Sequence, residues 1–223
     1  MKGSKLLDTK ISVAIVNYEM GNTKSVENAI KHIGNYDVKI TDDGDTILQS
    51  DIIILPGVGG FPDAMEKLNK RNLVAVLNKA VIANKTPTLG ICLGMQLLFG
   101  SSEEKVVTHG LGWIPGRVVY IEPKGDLRVP HIGWNSLILS EKDSLFSFLD
   151  HDKDFYFVHS LCVKCDESYI LARFHYGDRM VAAVKKDNIV GMQFHPEKSQ
   201  KNGLNALRSF FDWAQKSKIT HHA

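Results

Sequence analysis

The chain has 223 residues, of which 43% are hydrophobic and 23% are charged. Its apolar segments are spread evenly, without a low-complexity linker, which favours a single domain with a sizeable core. The 27 basic and 25 acidic residues give a net charge of +2, which offers no electrostatic reason to expect nucleic acid or an anionic membrane as a partner.

The first ten residues, MKGSKLLDTK, are polar and predict a flexible lead-in to one domain spanning residues 11–216. The apolar run that follows, ISVAIV, is too short for a signal-peptide core or a membrane span. Three cysteines are too few for a disulfide framework and indicate the reducing cytoplasm. Residues 217–223 are expected to form a frayed tail.

The first half of the chain alternates strand and helix patterns. Residues 11–16 and 51–55 are continuous β-branched apolar runs, typical of strands buried on both faces of a parallel sheet. Residues 23–33 carry apolar side chains at helical spacing after Asn22, a plausible helix cap, and the spacing recurs in residues 73–80. This alternation predicts right-handed βαβ units.

The second half, after about residue 105, has a different character. Strand-like runs without long helices between them occur at residues 116–122, 155–160, 169–174, 180–186 and 189–194. A final helix over residues 201–215 carries one apolar stripe. The sequence therefore predicts an α/β fold with a mostly parallel central sheet, flanked by helices and extended by antiparallel or mixed strands.

A candidate nucleophile, Cys92, lies between Gly90 and Gly94 in the segment GICLGMQ. The pattern G-x-C-x-G is the thiol counterpart of the nucleophile elbow, in which a sharp strand-to-helix turn raises the side chain above the sheet. The glycines let the two backbones approach, and the N-terminus of a helix near residues 93–99 favours the thiolate. A packed core cysteine is the alternative, which the paired glycines disfavour.

A candidate base lies in the segment GMQFHPEKS, residues 191–199. In an extended segment His195 and Glu197, two residues apart, face the same side. Pro196 fixes its own φ and keeps His195 out of the helical region. We expect Glu197 to hold one imidazole nitrogen while the other addresses Cys92. A solvated turn would explain this segment alone, but its pairing with the elbow favours catalysis.

Acyl chemistry also needs hydrogen-bond donors for a developing oxyanion. The backbone N–H of Leu93, directly after the nucleophile, is one candidate. The glycine-rich segment LPGVGGF, residues 55–61, is the second, because it follows a buried strand and reaches the same carboxyl edge of the sheet. It does not resemble a phosphate-binding loop, since the pattern G-x-x-x-x-G-K-[ST] is absent.

The segments PGVGGF, GICLGMQLLF and GMQFHPEKS, in this order and spacing, resemble the class I glutamine amidotransferases, a flavodoxin-like family with a Cys-His-Glu triad. Within that family, NYEMGNTKSVENA, GLGWIPGRV, VPHIGWN and YFVHS are similar to the glutaminase subunits of imidazole glycerol phosphate synthases. The resemblance covers residues 11–213.

This resemblance implies a reaction in which a cysteine attacks the side-chain amide of glutamine, a histidine protonates the leaving ammonia, and a thioester is hydrolysed to glutamate. No cofactor and no metal are expected. The implied roles are Cys92, His195 and Glu197 as the catalytic triad, Val58 and Leu93 as the oxyanion hole, and Gly57, Gln96, Ser160 and Leu161 as substrate contacts.

The resemblance also implies a heterodimer with a HisF-type (β/α)8 cyclase subunit. Ammonia would pass directly into this cyclase, which converts PRFAR to imidazole glycerol phosphate and the ribotide AICAR in histidine biosynthesis. The implied interface residues are Asn22, Trp134, Asn135 and Lys198. We hypothesise that the glycine-rich loop around Val58 is mis-set until the partner binds its own ligand.

Two positions depart from the subfamily pattern: Leu161 stands where tyrosine is usual, and Glu19 stands where a small residue is commoner. They leave open a paralogous amidotransferase that supplies ammonia for amidino sugars. A cysteine peptidase or γ-glutamyl hydrolase is a further alternative, which the HPEKS segment disfavours. A catalytically inactive interaction subunit is disfavoured by the complete triad.

The remaining cysteines and histidines are interpreted as structural. Cys162 and Cys165 form a lone C-x-x-C pair, and positions an odd number apart on a strand face opposite sides, so a shared metal would need a turn there. His131 and His159 show no spacing typical of metal ligands.

Overall fold

The computed structural model describes residues 10–140, 144–146, 148–149 and 153–221, with side chains up to residue 217. Most of the predicted lead-in and the last two residues of the predicted tail lie outside the described residues. No helix in the described part of the chain is long and apolar enough to cross a membrane.

The described residues form fourteen strands, six α-helices and several short helical turns. The strands are β1 Ser12–Val16, β2 Asp37–Thr41, β3 Ile52–Gly57, β4 Thr88–Cys92, β5 Phe99–Ser102, β6 Thr108–His109, β7 Ile114–Tyr120, β8 His131–Ser136, β9 Ile138–Leu139, β10 Asp154–His159, β11 Leu161–Cys165, β12 Ile170–Tyr176, β13 Asp178–Lys186 and β14 Ile189–Met192. The α-helices are α1 Thr23–Ile33, α2 Gly44–Gln49, α3 Phe61–Lys70, α4 Leu73–Leu77, α5 Leu93–Leu97 and α6 Gln200–His221. A π-helical stretch, Asn78–Ala83, continues α4, and 3-10 turns lie at Ser144–Phe146, Glu167–Tyr169 and Pro196–Lys198.

The central sheet has eight strands in the order β2-β1-β3-β4-β14-β13-β12-β9. The first five are parallel, and β13, β12 and β9 continue the sheet with antiparallel pairings. The parallel strands follow the flavodoxin-like order 2-1-3-4-5, because β14 takes the fifth place. The predicted fold is therefore confirmed. The carboxyl ends of β3, β4 and β14 lie side by side.

Helices cover both faces of this sheet, and two hydrophobic cores result. Side chains alternate along β1, so that Val13 and Ile15 contact one core while Ala14 and Val16 contact the other. The first core includes the apolar stripes of α1 and α6, and the second includes those of α3 and α4. Burial on both faces explains why these strands read as continuous apolar runs.

Two smaller sheets build the walls beside the carboxyl edge. One has the order β11-β7-β5-β6, and the other pairs β10 with β8 in antiparallel register, with His159 opposite His131. The final helix is longer than the predicted 201–215 and continues to His221. Residues 216–221 contain neither the glycine nor the proline that commonly ends a helix.

Candidate active site

Cys92 forms a strained turn between β4 and α5. Its backbone angles, φ 54° and ψ −110°, lie in a region that residues with side chains rarely adopt. A Cβ atom at Gly94 would lie 1.7 Å from the carbonyl oxygen of Leu55, and one at Gly90 would lie 2.7 Å from that of Gly94. Only glycine fits at both positions, so the strand and the helix can approach closely around the thiol.

The helix after Cys92 is shorter than the sequence suggested. It spans Leu93–Leu97 rather than residues 93–99, because Phe99 already belongs to β5. The carbonyls of residues 97–99 accept hydrogen bonds from the backbone N–H groups of residues 111–114, which ends the helix. The dipole of such a short helix contributes less to a thiolate than we expected.

The buried thiol interacts with the His195 ring and contacts two further polar groups. The sulfur lies 3.8 Å from the carbonyl oxygen of Val158 and 3.8 Å from the amide nitrogen of Gln193. The side-chain oxygen of Gln193 accepts a 3.0 Å hydrogen bond from Gln96. Gln193 was not predicted, although its place two residues before His195 on an extended segment puts both on one side.

His195 and Glu197 form a buried pair. The imidazole Nδ1 lies 2.8 Å from a carboxylate oxygen of Glu197, and both side chains are only 2% exposed. The expectation of an extended segment is wrong after His195, because Pro196–Lys198 is a 3-10 turn. This turn brings the carboxylate back to the ring. The backbone N–H of His195 donates to Tyr156, and the Ser199 hydroxyl donates to the carbonyl of His195.

The environment of His195 favours its protonated form. Burial alone lowers the pKa of this imidazole, but the Cys92 sulfur and the Glu197 carboxylate raise the pKa to about 9. The other ring nitrogen, Nε2, is buried on the side of the Cys92 sulfur, which favours its proton. His195 can therefore hold a proton at neutral pH, on the nitrogen beside the thiol.

In the glycine-rich loop after β3, the backbone N–H of Val58 already has a hydrogen-bond partner. The N–H of Val58 donates to the carbonyl oxygen of Met20 at 3.3 Å. Just before it, the hydroxyl of Tyr18 donates to the carbonyl of Pro56 at 2.6 Å, and burial raises the pKa of this phenol, with a smaller contribution from Cys92. In contrast, Leu93 is the first residue of α5, where the N–H has no partner within the helix.

Most of the predicted site residues line one cavity of about 320 Å³, a size typical of small-molecule sites. Gly57 does not line it, because this residue packs against Tyr18, Leu93 and Gly94 instead. Glu104 was not predicted, yet its side chain lines the cavity and accepts a hydrogen bond from the N–H of Phe61. The lining consists of Val58, Gly59, Cys92, Leu93, Gln96, Glu104, Pro130, Val158, His159, Ser160, Leu161 and His195.

The predicted interface residues lie outside this cavity. Trp134 is 47% exposed on β8, with its ring 5.8 Å from that of Tyr156, so it does not fill a core. Asn22 is exposed and caps α1 through Ser25, and Lys198 is exposed on the turn after His195. Asn135 is half-buried and is hydrogen-bonded to the His131 ring.

A larger cavity of about 810 Å³ lies near the amino ends of the strands, lined in part by Ser50, Thr86, Asn188 and Trp213. It contains none of the predicted site residues and no cysteine or histidine. Its size alone does not make it an active site, and the described residues of its lining include none of Cys92, His195 and Glu197.

The lone cysteine pair is split between two environments. On β11, Cys162 packs in the first core, while Cys165 lies against the second. Burial raises the pKa of both thiols, that of Cys165 to about 11. Among the described residues there is no group of three His, Cys, Asp or Glu side chains that could hold a metal ion.

Residues 14–213 match the family described as glutamine amidotransferase class I. The chain belongs to this family, and it is therefore an enzyme of the glutamine amidotransferase class.

Within the family, the chain is similar to imidazole glycerol phosphate synthase subunits named HisH. It is 59% identical to subunit HisH 2 of Vibrio vulnificus (strain YJ016), over 94% of this chain and 98% of that protein. It is 42% identical to subunit HisH 1 of Campylobacter jejuni (strain 81-176), over 89% of this chain and 98% of that protein.

Solved structures share the fold at low sequence identity. A glutamine amidotransferase crystal structure superposes with a TM-score of 0.69 at 18% identity, over 91% of this chain and 98% of that one. The PurLQS structure from Thermotoga maritima gives a TM-score of 0.61 at 19% identity, over 92% and 99%.

Proposed function

We propose that the chain is the glutaminase subunit of an imidazole glycerol phosphate synthase, which hydrolyses glutamine to glutamate and ammonia. The observation that carries the proposal is the arrangement of Cys92, His195 and Glu197, with the thiol and the imidazole lining one cavity and the carboxylate bound to the ring. The 59% identity to a subunit of that synthase supports it.

The reaction begins when the Cys92 sulfur attacks the carboxamide carbon of glutamine. His195 then donates its Nε2 proton to the leaving nitrogen, the C–N bond breaks, and ammonia departs from a thioester. Water attacks the thioester while His195 accepts a proton, which releases glutamate and regenerates the thiolate. Glu197 holds Nδ1 of the ring and stabilises its protonated form throughout.

The remaining cavity residues account for recognition of a free amino acid. The Glu104 carboxylate is suited to pair with the α-ammonium group of glutamine. Gln96 lines the same cavity, and the backbone of Ser160 and Leu161 forms the wall expected to hold the amino-acid end.

The oxyanion hole is the regulated part of the site. Leu93 supplies one N–H group, but the N–H of Val58 is bound to Met20 and has to turn before it can reach the oxyanion. We infer that this turn accompanies binding of the partner and its ligand. The isolated chain then hydrolyses glutamine slowly, so that ammonia is made only when an acceptor is present.

The partner in this proposal is a HisF-type (β/α)8 cyclase, which receives ammonia without its release to water and converts PRFAR to imidazole glycerol phosphate and AICAR. Support comes from the relatives, which are named as subunits of a synthase, and from the exposed Trp134. An exposed tryptophan beside an amide side chain is typical of interface hot spots.

A second candidate function has its own support. The relatives from Vibrio vulnificus and Campylobacter jejuni carry the names HisH 2 and HisH 1, as expected where one genome encodes two such subunits. One copy could then supply ammonia to a cyclase-like enzyme that makes amidino sugars. The chemistry at Cys92 would be the same, and the acceptor would differ.

The test is to co-purify the chain with a histidine-pathway cyclase and with a cyclase-like protein of the amidino-sugar pathway. Glutamate release is then measured with and without PRFAR. We expect a histidine-pathway complex whose glutamate release rises with PRFAR and is abolished by Cys92→Ser. A rise only with the sugar-pathway protein supports the second candidate. Glutamate release that is unaffected by Cys92→Ser overturns the proposed chemistry.

A further inference from the structure

Two buried histidines outside the triad form a continuous hydrogen-bonded chain. Nδ1 of His131 lies 3.0 Å from Nε2 of His159, and Nδ1 of His159 lies 2.7 Å from the carbonyl oxygen of Leu161. At the other end, Nε2 of His131 lies 2.7 Å from the side-chain oxygen of Asn135. The chain of contacts runs from β8 to the cavity wall at Leu161.

The two rings are held rigidly. His131 is packed among aromatic rings, with centroids 4.0 Å from Tyr176, 5.4 Å from Phe157 and 5.4 Å from Phe174. His159 contacts Phe157 and Phe174 at 5.9 and 5.7 Å. Such packing leaves an imidazole little rotational freedom, so its nitrogens keep fixed directions.

The acceptor at the end of the chain decides where the protons lie. A carbonyl oxygen only accepts, so His159 carries its proton on Nδ1 and presents a bare Nε2 to His131. Burial lowers the pKa of both rings, that of His159 to about 4, which keeps His159 neutral, while at His131 the Asn135 oxygen opposes the effect of burial. His131 then donates from Nδ1 to His159, and its Nε2 lies against the Asn135 oxygen, whose amide nitrogen donates to the carbonyl of His175.

We propose that His131 and His159 are positioning residues for glutamine, because they fix the Leu161 carbonyl and with it the backbone of Ser160 and Leu161. Neither acts on the reacting amide in this proposal, which rests on the glutaminase function proposed above. The second anchor of the same turn is the bond from the N–H of Ile121 to the carbonyl of Ser160, at 2.9 Å. The histidine chain therefore adds a side-chain restraint to a wall of the cavity that is otherwise held by backbone bonds and by the pairing of β11 with β7.

Two substitutions of His159 distinguish loss of the hydrogen bond to Leu161 from loss of the imidazole ring itself. In His159→Asn the side-chain amide nitrogen replaces Nδ1 and can still donate to Leu161. In His159→Gln the amide reaches the place of Nε2, so the contact with His131 survives and the bond to Leu161 is lost. We expect His159→Gln to raise the KM for glutamine about five- to tenfold, the size expected for one lost hydrogen bond, with kcat changed by less than twofold. In His159→Asn the KM for glutamine should stay close to that of the wild type.

The assay uses the complex with the cyclase, and melting temperatures verify that each variant folds. His32→Asn and His32→Gln, at an exposed histidine on α1, serve as matched controls and should leave KM unchanged. Equal KM values for the two His159 variants, or a loss confined to kcat, would overturn the positioning role. If the wild-type complex releases no glutamate, the glutaminase proposal fails instead.

A second measurement tests the protonation of the two hydrogen-bonded histidines and needs no activity assay. Long-range ¹H–¹⁵N spectra of the histidine-labelled protein report which ring nitrogen is protonated, with signals assigned from the single variants. We expect His159 to be neutral with its proton on Nδ1 at pH 7. A proton on Nε2, or the mixture typical of exposed histidines, would contradict the proposed chain even where the KM values agree.

Discussion

At the scale of single residues, the strained backbone of Cys92 sets the geometry of the site. A residue held in such a sparsely populated conformation costs of order 1–3 kcal/mol, and persists only where its surroundings determine it. Here Gly90 and Gly94 give the strand and helix room to meet at the thiol, and the end of β3 packs against the same turn. The cost is local, and the benefit is a sulfur that faces the cavity beside His195.

The protonation of His195 leads to a direct prediction. Its imidazole has a pKa raised to about 9, so we expect a ¹⁵N NMR titration of this ring in the folded chain to have its midpoint well above 6.5. In Glu197→Gln one of the two interactions that favour the imidazolium is lost, and the midpoint should fall by about one unit or more. The fall of glutamate release at alkaline pH should shift to lower pH by the same amount.

The matched control is Glu167→Gln, because Glu167 is an exposed carboxylate paired with Arg173, on the 3-10 turn before β12. It should leave the His195 midpoint unchanged. The raised pKa also makes a contribution to folding stability that is fully present below about pH 6.5 and is lost as the pH rises through 9. A wild-type midpoint at or below 6.5 would refute the assignment of His195 as the proton donor.

At the scale of elements, the loop after β3 is linked to α3 through the segment that follows β1. Glu19 has a φ of 62° and forms ion pairs with Arg71 and with Lys67, whose amine also donates to the Glu19 carbonyl. The next carbonyl, that of Met20, accepts the N–H of Val58. Glu19 therefore helps to hold the acceptor that keeps this N–H away from the cavity.

We predict that Glu19→Gln raises glutamate release by the isolated chain about two- to fivefold, because an exposed ion pair contributes roughly 0.2–1 kcal/mol. The neutral amide keeps the length of the side chain but weakens its attachment to α3, so the Val58 N–H is freed more often. Stimulation by the partner should shrink by the same factor, since only the resting rate changes.

Glu66→Gln is the appropriate control for this experiment, since it removes from the same helix an exposed ion pair with Lys70 in which Glu19 takes no part. It should leave the resting rate as it is. A resting rate in Glu19→Gln that equals or falls below that of the wild type would show that Glu19 does not restrain the loop.

Local sequence patterns predicted the helices and strands whose signals are contained within one short segment. The helix at residues 23–33 lies within the predicted bounds, because its cap and apolar spacing are both encoded in one short segment. The β-branched runs of β1 and β3 are strands for the same reason. The parallel sheet then brings the ends of β3, β4 and β14 together, as expected from βαβ connections.

The features that the sequence did not reveal depend on contacts between distant segments. The length of α5 is set by residues 111–114, and the turn at Glu197 by the anchoring of His195 to β10. Glu104 reaches the cavity because it caps α3 through Phe61, 43 positions earlier. No periodicity in one segment encodes such pairings, so Gln193, Glu104 and the bond from Val58 to Met20 required the structure.

At the scale of the whole molecule, β8 presents an exposed apolar pair of side chains that would suit a partner. Ile132 is 60% exposed and Trp134 is 47% exposed, and they lie two residues apart on the same side of the strand. The opposite side of this strand carries His131, so the surface and the histidine chain share one element. A partner that orders this strand would therefore also restrain the Leu161 wall.

We predict that Trp134→Ala weakens binding of the cyclase subunit about thirtyfold, which corresponds to a hot-spot loss of about 2 kcal/mol. The side chain is half exposed and fills no core, so the melting temperature and any glutamate release by the isolated chain should stay close to those of the wild type. The dissociation constant is measured by titrating the cyclase into the chain and following stimulated glutamate release.

The control is Ile82→Ala, an apolar residue with a similar exposure of 41%, on the π-helical stretch Asn78–Ala83. If exposed apolar area alone determined binding, the two variants would behave alike. If β8 is the interface, only Trp134→Ala raises the dissociation constant, and saturating cyclase restores full stimulation because the catalytic residues are untouched. Equal binding by wild type and Trp134→Ala would show that the partner binds another face of the molecule.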